Sequence, residues 1–70
     1  MVEQVRAALP ARLATAVLSS GIEQGRLTIG VAGAVWASRL RYLTESVRKR
    51  VGSSLGIPIQ SVRVRVVPPL

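Results

Sequence analysis

Histidine, cysteine, aspartate and phenylalanine are all missing from this 70-residue chain, and its acidic residues number three. These are Glu3, Glu23 and Glu45, far apart in sequence and set beside basic or apolar neighbours. General acid–base catalysis usually needs a histidine or a positioned pair of carboxylates. Metal sites need cysteine, histidine or clustered carboxylates, and the serines and threonines have no base to activate them. The composition therefore argues against an enzyme, a metal site, any other cofactor and a small-molecule substrate. The lack of cysteine fits a reducing compartment. Aromatic residues are down to Trp36 and Tyr42, fewer than a base-stacking platform for single strands usually carries. The segment Met1–Arg6 has no basic stretch followed by an apolar one, so no secretory signal is visible. The uncharged run Leu27–Ser38, which no other exceeds, is too short to span a bilayer and is interrupted by Gly30 and Gly33. The expectation is a soluble cytoplasmic protein with no membrane partner.

What the chain has in excess is positive charge, a net +7 from ten basic residues. Nine of these are arginine and one is Lys49. Arginine offers a planar fork of donors suited to phosphate, whereas lysine suffices for solubility. An arginine-dominated balance in a small protein points to a polyanion: nucleic acid, an acidic protein surface or an anionic membrane. The length allows one domain, residues 1–70. At this size only about 60% of the unfolded surface is buried, with no disulfide or metal to assist.

Val2, Val5, Leu9 and Leu13 recur at helical spacing amid alanines, interrupted by Pro10. This reads as a helix near 2–9 and a further helical turn from Pro10 to about Ala14. Thr15–Ile22 is richer in β-branched and small residues and reads as a strand. Glu23-Gln24-Gly25-Arg26 reads as a turn with Gly25 at positive φ, and Leu27–Val31 alternates as the second strand of a hairpin. From Ala34 onward, Trp36, Leu40, Leu43, Val47, Val51 and Leu55 form one apolar stripe, predicting a single continuous helix. Gly52 and Gly56 both offer punctuation at its end, and Pro58 limits continuation. Val62–Val67 closes the chain as an alternating strand, stopped by Pro68 and Pro69. The order α-β-β-α-β predicts an α+β fold with a three-stranded mixed sheet. Its last two strands are parallel around a helical crossover and its helices lie on one face. Arg26, Thr28, Arg63 and Arg65 would then line the other face.

Two basic groups are candidates for contact with nucleic acid. On the long helix, Arg41, Glu45, Arg48 and Lys49 lie opposite the apolar stripe, with Tyr42 adjacent and Arg39 and Arg50 at its flanks. This is a phosphate-tracking surface with a tyrosine to stack on a base. It is equally a solvated helix face, because Arg48-Lys49-Arg50 complements the helix dipole and Arg41 and Glu45 form an ordinary i,i+4 pair. Arg63 and Arg65, with Arg26, would form a second basic strip, or serve to keep an edge strand from pairing with other chains. Trp36 lies on the buried stripe and is expected in the core. Gly30-Val31-Ala32-Gly33 matches the G-x-x-G backbone clamp of KH domains. It contains no cation and sits at a strand-to-helix junction, so a tight turn with Gly33 near the helix N-cap is the simpler role. Ser53 and Ser54 read as caps of a short following turn.

Four segments carry a resemblance to a known family. Leu9-Pro10-Ala11-Arg12-Leu13-Ala14 is similar to a Leu-Pro-x-x-Leu segment. Gly25-Arg26-Leu27-Thr28-Ile29 is similar to a Gly-x-Leu-x-Leu strand. Trp36-Ala37-Ser38-Arg39-Leu40-Arg41-Tyr42 resembles a Trp-Ala-x-x-Leu-Arg signature. Ile59–Val66 resembles a closing Val/Ile-x-x-Ile-x-Val-x-Val strand. In this order and spacing, over about residues 9–67, the chain resembles the DciA family of bacterial replicative-helicase loaders. Family members often place a serine before the Trp-Ala pair, where Gly33-Ala34-Val35 stands here. The resemblance implies a KH-like domain of the type II arrangement without a working G-x-x-G loop. It also implies binding to the hexameric helicase DnaB and to DNA, single-stranded or at a fork, with no nucleotide hydrolysis and a nucleoid-associated location. The alternatives are an RNA-binding KH relative and a basic protein-interaction module with no nucleic-acid role. The residues expected to meet nucleic acid are Arg26, Arg39, Arg41, Tyr42, Arg48, Lys49, Arg63 and Arg65.

Overall fold

Turn chemistry and period-two alternation build the sheet. In a computed structural model, which describes residues 2–67, β1 (Val17–Glu23) and β2 (Arg26–Val31) form an antiparallel hairpin. Its loop has only two residues, Gln24 (φ 52°) and Gly25 (φ 78°), and two left-handed residues in succession match the twist of paired strands. Arg26 therefore belongs to the strand and not to the turn. β3 (Ser61–Val66) pairs in parallel with β2, with Thr28 opposite Arg63, Ile29 opposite Val64 and Gly30 opposite Arg65. The sheet order is β1-β2-β3, a three-stranded mixed sheet as expected. The expected stop at Pro68 and Pro69 lies outside the described residues.

Four helices accompany the sheet: α1 (Val2–Ala7), α2 (Ala11–Ala16), α3 (Ala34–Arg41) and α4 (Thr44–Leu55). The order is thus α-α-β-β-α-α-β, consistent with an α+β KH-like fold. Pro10 precedes α2 in an extended conformation (ψ 151°) and separates it from α1, which ends at Ala7 and not Leu9. Residues 15 and 16, expected in the first strand, instead finish α2. Thr15 Oγ1 donates to the Arg12 carbonyl at 2.8 Å, and Ala16 is buried.

The long helix expected from the apolar stripe is two helices. Twenty-two residues of straight helix would span about 33 Å, whereas the strands beneath, at roughly 3.3 Å per residue, are about 20–23 Å long. The chain bends at Tyr42-Leu43. There the Tyr42 and Leu43 N–H groups donate to carbonyls only three residues back, at 3.2 and 2.9 Å. α3 then packs on β2 and β3, while α4 crosses to reach α1 and β3. α4 runs through Gly52, Ser53 and Ser54, so these neither end it nor cap a later turn. Gly56 ends it at φ 69°, and the Gly56 and Ile57 N–H groups both return to the Gly52 carbonyl.

One face of the sheet is buried. Leu27, Ile29 and Val31 are fully enclosed together with Val5, Leu40, Val47 and Val51 from the helices; Leu9 and Leu13 are buried beside them, and Val62 and Val64 pack against this cluster. Each such side chain contributes about 1.5–3 kcal/mol on burial. Trp36 stands at the margin of the core and not within it. It is half-buried, with the Arg39 guanidinium 5.6 Å from its ring centroid.

Candidate nucleic-acid interface

The opposite face of the sheet is exposed at its turn end, and pairing register decides what it displays. Cross-strand rows run Glu23–Arg26–Ser61, Gly21–Thr28–Arg63 and Ser19–Gly30–Arg65. Arg26, Arg63 and Arg65 are exposed and Thr28 is half-buried. Arg63 and Arg65 are two residues apart on one strand, about 6.6 Å in rise, a spacing of the order of successive phosphates on an extended single strand. At the turn end of this face a polar recess is lined by Glu23, Gln24, Arg26, Thr28, Ser61 and Arg63, together with Gln60. The Gln60 and Ser61 N–H groups donate to the Gly25 carbonyl at 2.8 and 3.4 Å, fixing the start of β3 beside the hairpin turn. Sequence reasoning missed Gln24, Gln60 and Ser61. They lie in loops or at a strand end, and only the return of β3 alongside β2 brings them to the arginines.

The far end of the same face is closed. A Cβ on Gly30 would meet Ser19 Oγ and come within 2.6 Å of Val67 Cγ2, so both side chains lie over this glycine. Gly30 and Val31 belong to β2 and Gly33 is the extended N-cap of α3, its carbonyl accepting from Ala37 N–H at 3.0 Å. Gly30-Val31-Ala32-Gly33 is accordingly a strand-to-helix junction and no phosphate clamp.

The helical candidates lie on the other layer. Arg39 and Arg41 are in the last turn of α3, and Tyr42, 90% exposed, projects from the bend. Lys49 and Arg50 are exposed on α4. Arg48 is engaged within the protein. Its Nε and Nη2 donate to Glu45 Oε2 at 3.3 and 2.8 Å, and its Nη1 donates to the Ile59 carbonyl at 3.1 Å. This is the one ion pair among the described residues, so Arg26, Arg39, Arg41, Arg63 and Arg65 have no carboxylate partner there. The bend removes the i,i+4 relation between Arg41 and Glu45, and Glu45 pairs forward with Arg48 instead. The hydrogen bond and charge of Arg48 hold the Glu45 carboxyl below the ordinary glutamate range. The eight candidate residues thus divide into a sheet group (Arg26, Arg63, Arg65), a helical group (Arg39, Arg41, Tyr42, Lys49) and Arg48, which is tied to Glu45 and Ile59.

No group of three potential metal ligands comes together among the described residues. No helix there is long and apolar enough to cross a membrane. The arrangement offers fixed cations and polar donors on a rigid sheet, which is chemistry for holding an anionic chain.

No curated protein and no solved structure matches this sequence. A family model described as Dna[CI] antecedent, DciA, matches residues 1–64. The matched stretch takes in the hairpin, the Trp36–Tyr42 block and most of β3. By that match the chain belongs to the DciA family, replication factors whose general role is the loading of the bacterial helicase DnaB.

Proposed function

We propose that this protein is a non-enzymatic, cytoplasmic, nucleoid-associated replication module that contacts DnaB and binds single-stranded or fork DNA by its phosphates, assisting helicase loading. The observation that carries the DNA part is the open sheet face, where Arg26, Arg63 and Arg65 have no carboxylate partner among the described residues and flank polar donors. Family membership supports the helicase part. Arg48 contributes by positioning Ile59 and the start of β3 and not by touching phosphate. Arg39, Arg41, Lys49 and Tyr42 provide a second surface, on which an exposed aromatic between arginines suits either a stacked base or a protein partner.

Each phosphate neutralised on a single strand contributes about 0.7 to the slope of log K against log salt. Replacing Arg26, Arg63 and Arg65 together by glutamine should reduce that slope by about 2, in a protein whose circular dichroism is unchanged. An unchanged slope would remove the sheet face from the interface. Co-elution of the nuclease-treated chain with DnaB, with and without single-stranded DNA, tests the helicase contact. Tyr42→Ala then separates the two roles of the bend, by weakening DNA binding or helicase co-elution. RNA bound as tightly as DNA of the same sequence would favour the RNA-binding reading.

A further inference from the structure

The two edges of the sheet differ in a way that the DNA reading does not use. β3 carries Arg63 and Arg65, whereas β1 has no charged residue and no proline from Val17 to Ile22. The hairpin determines which backbone groups of β1 look outward. With a two-residue loop, the flanking pair Glu23 and Arg26 exchanges both hydrogen bonds, and such pairs then alternate with unbonded ones. Gly21 and Ser19 therefore direct their N–H and C=O inward to β2. Ser20 and Ile22 direct theirs to the free edge, symmetrically about Gly21. The start of the strand is occupied, since Leu18 is the bulged residue and Arg6 Nη2 donates to the Val17 carbonyl at 2.8 Å.

A second observation falls on the same flank. Two buried side-chain oxygens, Ser20 Oγ in β1 and Gln4 Oε1 in α1, take no hydrogen bond from the described residues. α1 is the helix packed against β1. Buried polar atoms are nearly always hydrogen-bonded, so this flank is the less completely satisfied side of the sheet.

We propose that β1 pairs antiparallel with β1 of a second copy, about a two-fold axis at Gly21, to give a continuous six-stranded sheet. Ser20 then lies opposite Ile22 of the second copy and exchanges both backbone hydrogen bonds with it, and the reverse pair does the same. Gly21 faces its own counterpart with open space, because nothing lies within 4 Å of a Cβ built there. The seam brings no like charges together, since Ser19 stands opposite Glu23 of the second copy. The arginine edges of β3 end up at the two outer margins. There they oppose further strand addition, so the contact is isologous and closes at two copies. This pairing stands or falls independently of whether the open face binds DNA.

The sequence has no cysteine, which allows a direct test by single cysteine substitutions. Gly21→Cys would set two thiols at an unbonded antiparallel pair, with Cα atoms about 4.5 Å apart, within disulfide reach. Under mild oxidation it should cross-link about tenfold faster, or more, than Ser38→Cys on the exposed side of α3. Light scattering should give twice the monomer mass. Ser20→Pro removes an outward N–H and an unpaired hydroxyl, and should return the chain to the monomer mass with its circular dichroism unchanged. Monomer mass at every concentration, together with equal cross-linking of the two cysteine variants, would overturn the proposal. So would a dimer that persists in folded Ser20→Pro. The Gly21→Cys rate decides the matter even where Ser20→Pro does not fold. Binding of an extended peptide from another protein to a chain that stays monomeric would overturn the second copy as occupant.

Discussion

β1 and β3 flank the same central strand and are held by different devices. β1 is the local partner, two residues from β2 along the chain, and its start is fixed by a bulge and by Arg6 on the Val17 carbonyl. β3 is the distant partner, reached only after α3 and α4, and its approach is fixed by Arg48 on the Ile59 carbonyl and by Gln60 and Ser61 on Gly25. The near strand carries no charge before Glu23 at its end, and the far one is laced with arginines. A strand delivered by a tight turn finds its register through the turn. A strand delivered by a long crossover depends on side-chain anchors and on burial of its valine face. The arginines on its other face are then free for an external anion, because none is used to hold β3 in place.

The largest effect should come from a change that breaks both edges together. Leu27→Ala in β2 removes a fully buried side chain shared by the two pairings, at a cost of about 2–5 kcal/mol. In a domain this small that is a large part of the total stability. Urea unfolding should show one transition moved to much lower denaturant, with no half-folded hairpin.

Gly30→Ala tests the place where the two edges meet across β2. Its Cβ would press on Ser19 beyond one edge and on Val67 beyond the other, costing about 1–3 kcal/mol. Ser19→Gly should restore part of that loss, and a double-mutant cycle reads the coupling. Additive losses would mean that the strands separate enough to admit the methyl group.

The two anchors can be weighed directly. Arg48→Ala should cost about 1–2 kcal/mol, since it loses a half-buried carbonyl partner and an exposed ion pair. It should speed amide exchange in Ser61–Val66 more than in Val17–Glu23. Arg6→Ala should cost about 1 kcal/mol and show the reverse exchange pattern. Equal exchange changes in both strands would erase the distinction between locally and distantly anchored edges.

The smallest effect is electrostatic and concerns the β3 side alone. The carboxyl of Glu45 titrates below its ordinary range because Arg48 hydrogen-bonds and attracts its charged form. Its contribution is therefore fully present above the unfolded-state value and is lost as pH falls through the lowered folded-state value. Glu45→Gln should flatten the acid loss of stability in that window, measured as thermal midpoint against pH. A profile with undiminished slope would show that the pair is too screened to matter.

Much of this was legible in advance. The hairpin, the parallel closing strand and the N-cap at Gly33 follow from alternation and turn residues within a few positions of one another. So does the arginine face. Once β3 lies parallel to β2 with its valines inward, period two sends Arg63 and Arg65 to the same side as Arg26 and Thr28. The break at Tyr42-Leu43 was not legible, because an apolar stripe at helical spacing reads alike in one helix or two. What differs is the length of the sheet underneath. The extent of α2 was also missed, where two alanines and the backbone hydrogen bond of Thr15 outweighed β propensity.

The sequence alone determined the hairpin, the closing strand, their facing and the chemistry on offer: an excess of arginine, no histidine, cysteine or aspartate, and a Trp36–Tyr42 block that resembles the DciA signature. Those properties depend on residue type and short-range spacing, which the chain states outright. Tertiary structure alone decided which arginines are free. It bound Arg48 to Glu45 and Ile59, set Arg39 over Trp36 and brought Gln60 and Ser61 beside Arg26 and Arg63. It also left one strand edge uncharged and open. Each of these rests on contacts between segments whose distance in the chain carries no local signal, and only packing brings them together.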